Sequence, residues 1–276
     1  MQIDPLSDLS WAYQLHHYIC FRTHRLRRLF DNSSKQQDMS RALAAICSNH
    51  AYHLMKSRTY PDHVRMLISL RPQHATSKVV QTLKSNSATE FGCARSITRP
   101  LWGRGYLAIS VGKVRIGTVR EYLRRQAEHH RYDQRARPPV FRYRSERLVP
   151  LTAAHCRFDL NYHLVFSTET RKGIFGSSDG EALTQYWLRV AAKHNFALDG
   201  LTILPDHVHL MVRTTPAASI EQCALKLLNN AQYFVATRWP QGLIRAGLHR
   251  VWQPSAYAGT CGNVTTAIVK AYLGGP

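Results

Sequence analysis

Apolar and polar positions alternate through short runs, change to helical spacing and then return to alternation, and the chain goes through this cycle twice. Each series opens on a β-type run, Tyr18 to Thr23 and Tyr162 to Thr168, followed by a stretch with helical spacing, Asp38 to Lys56 and Gly180 to His194. Alternation returns around Asp62-His63-Val64 and Asp206-His207-Val208. A second helical stretch follows (Ala75 to Phe91; Ser219 to Arg238), then a β-like segment after Trp102 or Trp252, a glycine, and a last helix carrying Tyr122 or Tyr272. The order β-α-β-(β)-α-β-α predicts an α+β fold of ferredoxin-like type, an antiparallel sheet with helices on one face, plus one terminal helix.

The two series are copies of one another, because their punctuation matches residue by residue. Tyr18-Ile19-Cys20-Phe21-Arg22-Thr23 before Phe30 is echoed by His163-Leu164-Val165-Phe166-Ser167-Thr168 before Phe175, 145 residues later. Tyr60-Pro61-Asp62-His63-Val64-Arg65 is echoed by Leu204-Pro205-Asp206-His207-Val208-His209 at an offset of 144. Leu101-Trp102, Ser110-Val111-Gly112, Val119 and Tyr122 return as Val251-Trp252, Thr260-Cys261-Gly262, Val269 and Tyr272 at an offset of 150. This divides the chain into copy one (1–126), an Arg/Pro-rich linker (127–155) and copy two (156–276).

Charge narrows the partner. The 276 residues hold 37 Lys+Arg against 17 Asp+Glu, a formal +20, which points to a polyanion. Residues 1–150 contain 26 basic and 10 acidic residues, and 151–276 contain 11 and 7, so copy one and the linker carry most of the excess. It is concentrated at Arg22 to Arg28, Arg120 to Arg125, and Arg131 to Arg147, the last interrupted by Pro138-Pro139. No apolar run is long enough for a membrane span and the first ten residues are polar and acidic, so the expected location is the cytoplasm, at the nucleoid. Six scattered cysteines with no C-x-x-C pair read as buried thiols rather than a zinc or disulfide framework.

His207 and His209 form the only His-x-His pair. On a strand they project from one face while Val208 and Leu210 turn to the other, an arrangement suited to two imidazoles on one divalent cation. Copy one has His63 and Arg65 at these positions, and a guanidinium has only donors, so it can hold a phosphate but not a metal. The terminal helices are unequal in the opposite sense. Tyr122 and Gln126 lie one turn apart on one helical face, whereas Tyr272 is followed by Leu273-Gly274-Gly275-Pro276 and has no such companion.

The Asp-His-Val-His block, the strand Tyr162-His163-Leu164-Val165-Phe166-Ser167-Thr168, the Trp and Ser/Thr-x-Gly segment and the final Tyr helix together resemble the single-tyrosine HUH transposases. Both the IS200/IS605 type and the REP-associated tyrosine transposases match, and this chain is similar to two such domains fused head to tail as a pseudo-dimer. The resemblance implies a Mg²⁺ or Mn²⁺ ion and cleavage of single-stranded DNA beside a hairpin by a tyrosine that becomes joined to the 5′ phosphate. It also implies sites shared between two domains, so that His207 and His209 of copy two would meet Tyr122 and Gln126 of copy one. A site within copy two, with Tyr272 as the nucleophile, is the alternative. A phenol titrates near pH 10 and needs a neighbouring cation to act as a nucleophile, which agrees with this division of labour.

Phosphate contacts are expected from Arg22, Arg25, Arg27, Arg28, Arg65, Arg124, Arg125, Arg131, Arg142 and Arg144, with Tyr132, Phe141 and Tyr143 available to stack on unpaired bases. A non-catalytic DNA-binding protein descended from such an enzyme is the competing reading. An RNA-recognition module on the same fold class lacks its aromatic signature strands here.

Overall fold

The structure, a computed structural model, describes residues 4–94, 100–125 and 141–274. Two sheets form. The first has the order β3 (His53–Tyr60), β4 (His63–Ser69), β2 (His16–Thr23), β5 (Trp102–Val111), β7 (Cys156–Asp159). The second runs β1 (Ser10–Gln14), β11 (Trp252–Cys261), β8 (Asn161–Thr168), β10 (His207–Thr214), β9 (Phe196–Ile203), β6 (Phe141–Arg144). In each, the strands of one copy are antiparallel.

Each sheet carries two long helices on one face: α1 (Ser33–Asn49) and α2 (Thr76–Ala94) on the first, α4 (Ser177–Lys193) and α5 (Ile220–Arg238) on the second. Asn32 caps α1 by accepting from the Lys35 amide, and Ser219 with Gln222 closes a reciprocal capping box on α5. Period-two alternation turns Ile19, Phe21, Val64, Met66 and Ile68 onto α1 and α2, and Leu164, Phe166, Val208, Leu210 and Val212 onto α4 and α5. Trp187 and Trp252 stack fully buried in the second core. A short helix, α6 (Pro240–Ala246), starts on Pro240 and stops at Gly247, whose φ of 62° lies in the left-handed region.

The expected helix from Asp38 to Lys56 ends early. Ala51 adopts a φ of 55°, which breaks the helix after Asn49, and Lys56 belongs to β3. The expected linker also contains structure, since Phe141–Arg144 adds β6 to the second sheet beside β9.

The halves exchange elements. β1, from the start of the chain, pairs in parallel with β11 of the second sheet, and β7, the lead-in to copy two, pairs in parallel with β5 of the first. The terminal helices α3 (Ile116–Arg124) and α7 (Thr266–Gly274) also cross over. Val119 and Leu123 of α3 pack on Met211 and Cys261 of the second sheet, and Val269 and Leu273 of α7 pack on Leu67 and Val111 of the first. Each terminal helix therefore covers the sheet face that its partner half's long helices leave bare.

The crossing point is the repeated Ser/Thr-x-Gly segment. Ser110 donates to the Cys261 carbonyl at 2.6 Å, and Thr260 donates to the Val111 carbonyl at 2.7 Å. A Cβ on Gly112 would lie 2.4 Å from the Thr260 oxygen, and one on Gly262 would lie 2.2 Å from the Ser110 oxygen. Both glycines are there because two backbones approach too closely for a side chain. Equivalent residues of the copies meet on the same seam, where His17 Nε2 and the Tyr162 hydroxyl are 3.0 Å apart.

Candidate active site

The outer face of the second sheet presents His207 and His209 from β10, His163 from β8, and Thr202 from β9, a set fixed by strand register and side-chain alternation. His207 and His209 are only 3% and 5% exposed, and their rings lie 5.1 Å apart and nearly perpendicular. Asp206, at the turn between β9 and β10, holds His207 Nδ1 at 2.6 Å and is itself paired with Arg171 at 3.1 Å. His163 Nε2 lies 3.1 Å from His209 Nδ1, with the two rings stacked. Burial pushes His163 down to about 4, so it is a neutral imidazole at physiological pH.

Each histidine of the pair thus has its Nδ1 engaged by a neighbour, which orients its ring and leaves Nε2 as the nitrogen suited to a ligand. That donor set fits two positions on a divalent cation. Among the described residues no group of three His, Cys, Asp or Glu side chains assembles as a metal site. Gln126, expected to provide a third ligand, lies outside the described residues, as do Arg131 and Tyr132.

Tyr122 reaches this face from copy one. Thr202 donates to the Leu123 carbonyl at 3.0 Å, and the apolar side of α3 rests on Met211 and Cys261. The Tyr122 ring centre then lies 5.6 Å from that of His209 and 6.0 Å from that of His163, edge-on to both. Arg124 and Arg125 pair with Glu121 at 2.6 and 2.7 Å on the exposed side of the same helix, and Arg124 chiefly holds that carboxyl well below the usual range, to about 2.

Beside α3 runs a cavity of about 490 Å³ between the helix, β6 and β9, lined by Arg120, Arg124, Arg142 and Arg144 together with Tyr143 and Thr202. The structure therefore gathers three of the expected phosphate-contacting arginines in one groove along α3, the helix that carries Tyr122. Arg22, Arg25 and Arg28 are exposed on copy one. Arg27 departs from expectation: its guanidinium turns onto the carbonyls of His24 and Pro100 and secures the turn after β2.

Tyr272 sits elsewhere, on the first sheet. It is 54% exposed, and its ring lies 5.0 Å from the Arg65 guanidinium carbon, opposite His63 and Arg65 rather than His207 and His209. Sequence reading passed over His163, Asp206 and Arg120 as site residues. His163 could have been found from its position in the repeated strand, since it shares a face with Val165 and Ser167, the direct partners of His209 and His207.

The family model described as "Transposase IS200 like" matches residues 11–126 and 156–275. The ISDra2 transposase TnpA of Deinococcus radiodurans is 27% identical over 118 residues, 42% of this chain and 83% of that protein. A solved structure from Deinococcus radiodurans R1 aligns at 21% identity and a TM-score of 0.35, covering 42% of this chain and 92% of that one. A REP-associated tyrosine transposase solved bound to a REP hairpin aligns at 14% identity and a TM-score of 0.28, covering 47% and 68%.

Proposed function

The chain belongs to the IS200-like transposase family, both of its halves matching the family model, and from that premise we propose that it nicks and rejoins single-stranded DNA beside a hairpin. The nucleophile is Tyr122. The observation that carries this reading is the approach of Tyr122, from copy one, to His209 and His163 of copy two.

In the proposed reaction the Tyr122 oxygen attacks the phosphorus of a phosphodiester. A tyrosine–phosphate bond forms, the bond to the 3′ oxygen breaks, the phenol proton leaves to solvent and the departing 3′ oxygen takes one up. Attack by a 3′-hydroxyl on the 5′-phosphotyrosine reverses the balance and restores the phenol. The phosphodiester bond is exchanged rather than hydrolysed, so no nucleotide cofactor is consumed.

His207, His209 and Gln126 would hold a Mg²⁺ or Mn²⁺ ion, which supplies Lewis-acid polarisation of the phosphate when bound. Asp206 and His163 keep the two imidazoles in register for that role. Arg120, Arg124, Arg142 and Arg144 line a groove along the helix that carries Tyr122 and are suited to hold the strand's phosphates, and Tyr143 in the same groove offers an aromatic face to an unpaired base.

The test is a covalent-adduct assay with single-stranded hairpin DNA and Mn²⁺ or Mg²⁺, followed by peptide mapping of the DNA-linked tyrosine. The expected adduct is on Tyr122 and disappears in Tyr122→Phe. An adduct on Tyr272 would move the site into copy two, and tight hairpin binding with no adduct on either would leave a DNA-binding protein without transposase chemistry.

A further inference from the structure

The first sheet carries the counterpart of the site, and its residues have been exchanged for others of definite chemistry. On the outer face, strand register places Tyr60 and Arg22 on either side of His63, and Arg58 and Cys20 on either side of Arg65. His63 stacks on Tyr60 with ring centres 4.4 Å apart and planes 4° from parallel, and its Nδ1 is held by Asp62 at 2.7 Å. The Arg65 guanidinium carbon lies 4.7 Å from the Tyr60 ring centre and 5.0 Å from that of Tyr272, which α7 delivers from copy two.

Two polar atoms there are buried and find no hydrogen-bond partner among the described residues: His63 Nε2 and Arg65 Nε. Arg65 Nε is a buried donor without an acceptor, which is costly; His63, whose Nδ1–H donates to Asp62, has Nε2 on the adjacent same-face position, a second donor there only when both ring nitrogens carry a proton. A guanidinium has no acceptor and cannot bind a cation, whereas its in-plane N–H groups match the oxygens of a phosphate. Arg22 and Arg58 add positive charge on the same face, and Asp62 is the carboxylate that holds His63.

We infer that this face is a metal-independent seat for one backbone phosphate of a bound nucleic-acid strand, held by Arg65 and His63 with the rings of Tyr60 and Tyr272 fixing the guanidinium. Copy one thus holds DNA where copy two cuts it. The identity of the ligand rests on the single-stranded DNA reading above; the anion site itself does not.

The experiment measures binding of a fluorescent single-stranded oligonucleotide to the full chain in EDTA, over a series of salt concentrations. Arg65→Gln is expected to lose about ten-fold in affinity and to reduce the salt slope by about 0.7, the share of one phosphate on a single strand. Arg65→Lys should keep the slope. His63→Phe, which preserves a ring on Tyr60 and removes Nε2, should lose about three-fold and decides the matter if Arg65→Gln fails to fold by circular dichroism. Affinity and slope equal to wild type in the folded variants overturn the site, and so does wild-type binding that appears only with divalent metal. Neither result touches the adduct assay on Tyr122. Inorganic phosphate alone is the second arm. If it raises the melting temperature of wild type and not of Arg65→Gln while no oligonucleotide binds, the seat takes free phosphate, and assignment to a strand is wrong.

Discussion

A histidine offers a metal or a phosphate one nitrogen at a time, so what its other nitrogen touches decides how it can be used. Asp206 on His207 and His163 on His209 are such second contacts, at 2.6 and 3.1 Å. Removing either should act through orientation: Asp206→Ala and His163→Phe are expected to raise the Mn²⁺ concentration for half-maximal adduct formation by about 10- to 100-fold. Hairpin affinity measured in EDTA should stay near wild type, and an unchanged Mn²⁺ midpoint would remove both residues from the site. A different histidine sets an acid limit on the fold. Burial pushes His17, hydrogen-bonded to Tyr162 across the seam, down to about 3 from an ordinary 6.5. Below pH 6.5 the unfolded chain binds a proton there that the folded chain refuses. Stability supplied by the neutral ring is therefore complete above pH 6.5 and declines as pH falls toward 3, at up to about 1.4 kcal/mol per unit. Urea titrations at pH 7.5 and 5 should show wild type losing more stability than His17→Gln; equal losses would mean that His17 is not the responsible group.

At the scale of elements, the halves are joined by two glycines whose missing side chains are structural. Gly112→Ala or Gly262→Ala forces a Cβ to within 2.4 or 2.2 Å of a carbonyl oxygen of the other half. The backbones must separate, at a cost of roughly 3 kcal/mol. Thermal unfolding should fall by about 6–10 °C in each variant, whereas Gly117→Ala, with open space around it, should not fall this way. A seam glycine that accepts alanine without loss would mean the halves are not held here. The sequence made much of this architecture readable. Paired punctuation fixed the two copies, and the alternation at His207, Val208 and His209 correctly put the histidines on one face, away from the Val208 and Leu210 side. Two things were not readable. β3 follows a helix after only three residues, and its polar run His53–Tyr60 continues the helical stretch without a break in hydropathy. The exchange of β1, β7, α3 and α7 leaves no trace in local pattern, because a strand or helix buries the same apolar face whichever half receives it. The pairing of Tyr122 with copy two was reachable from the family resemblance; neither periodicity nor spacing contains it.

For the molecule as a whole, joining two copies in one chain changes what each is required to do. In an assembly of identical subunits every substitution appears twice, so replacing the second histidine by arginine would change both sites at once. Within a single chain the copies diverge separately, and here copy two keeps His207 and His209 while copy one keeps Tyr122 and carries Arg65 opposite Tyr272. The tether also holds the contributing elements at high effective concentration, and the exchanged strands β1 and β7 add main-chain pairing across the seam. A site assembled this way should be independent of dilution. The rate of adduct formation per chain is expected to stay constant from micromolar to low nanomolar protein, with saturating hairpin DNA, and to level off at one oligonucleotide per chain by intact mass. Falling specific activity on dilution would mean that the working site is shared between chains. Two oligonucleotides per chain would mean that Tyr272 also reacts, and that the division between a cutting copy and a holding copy is wrong.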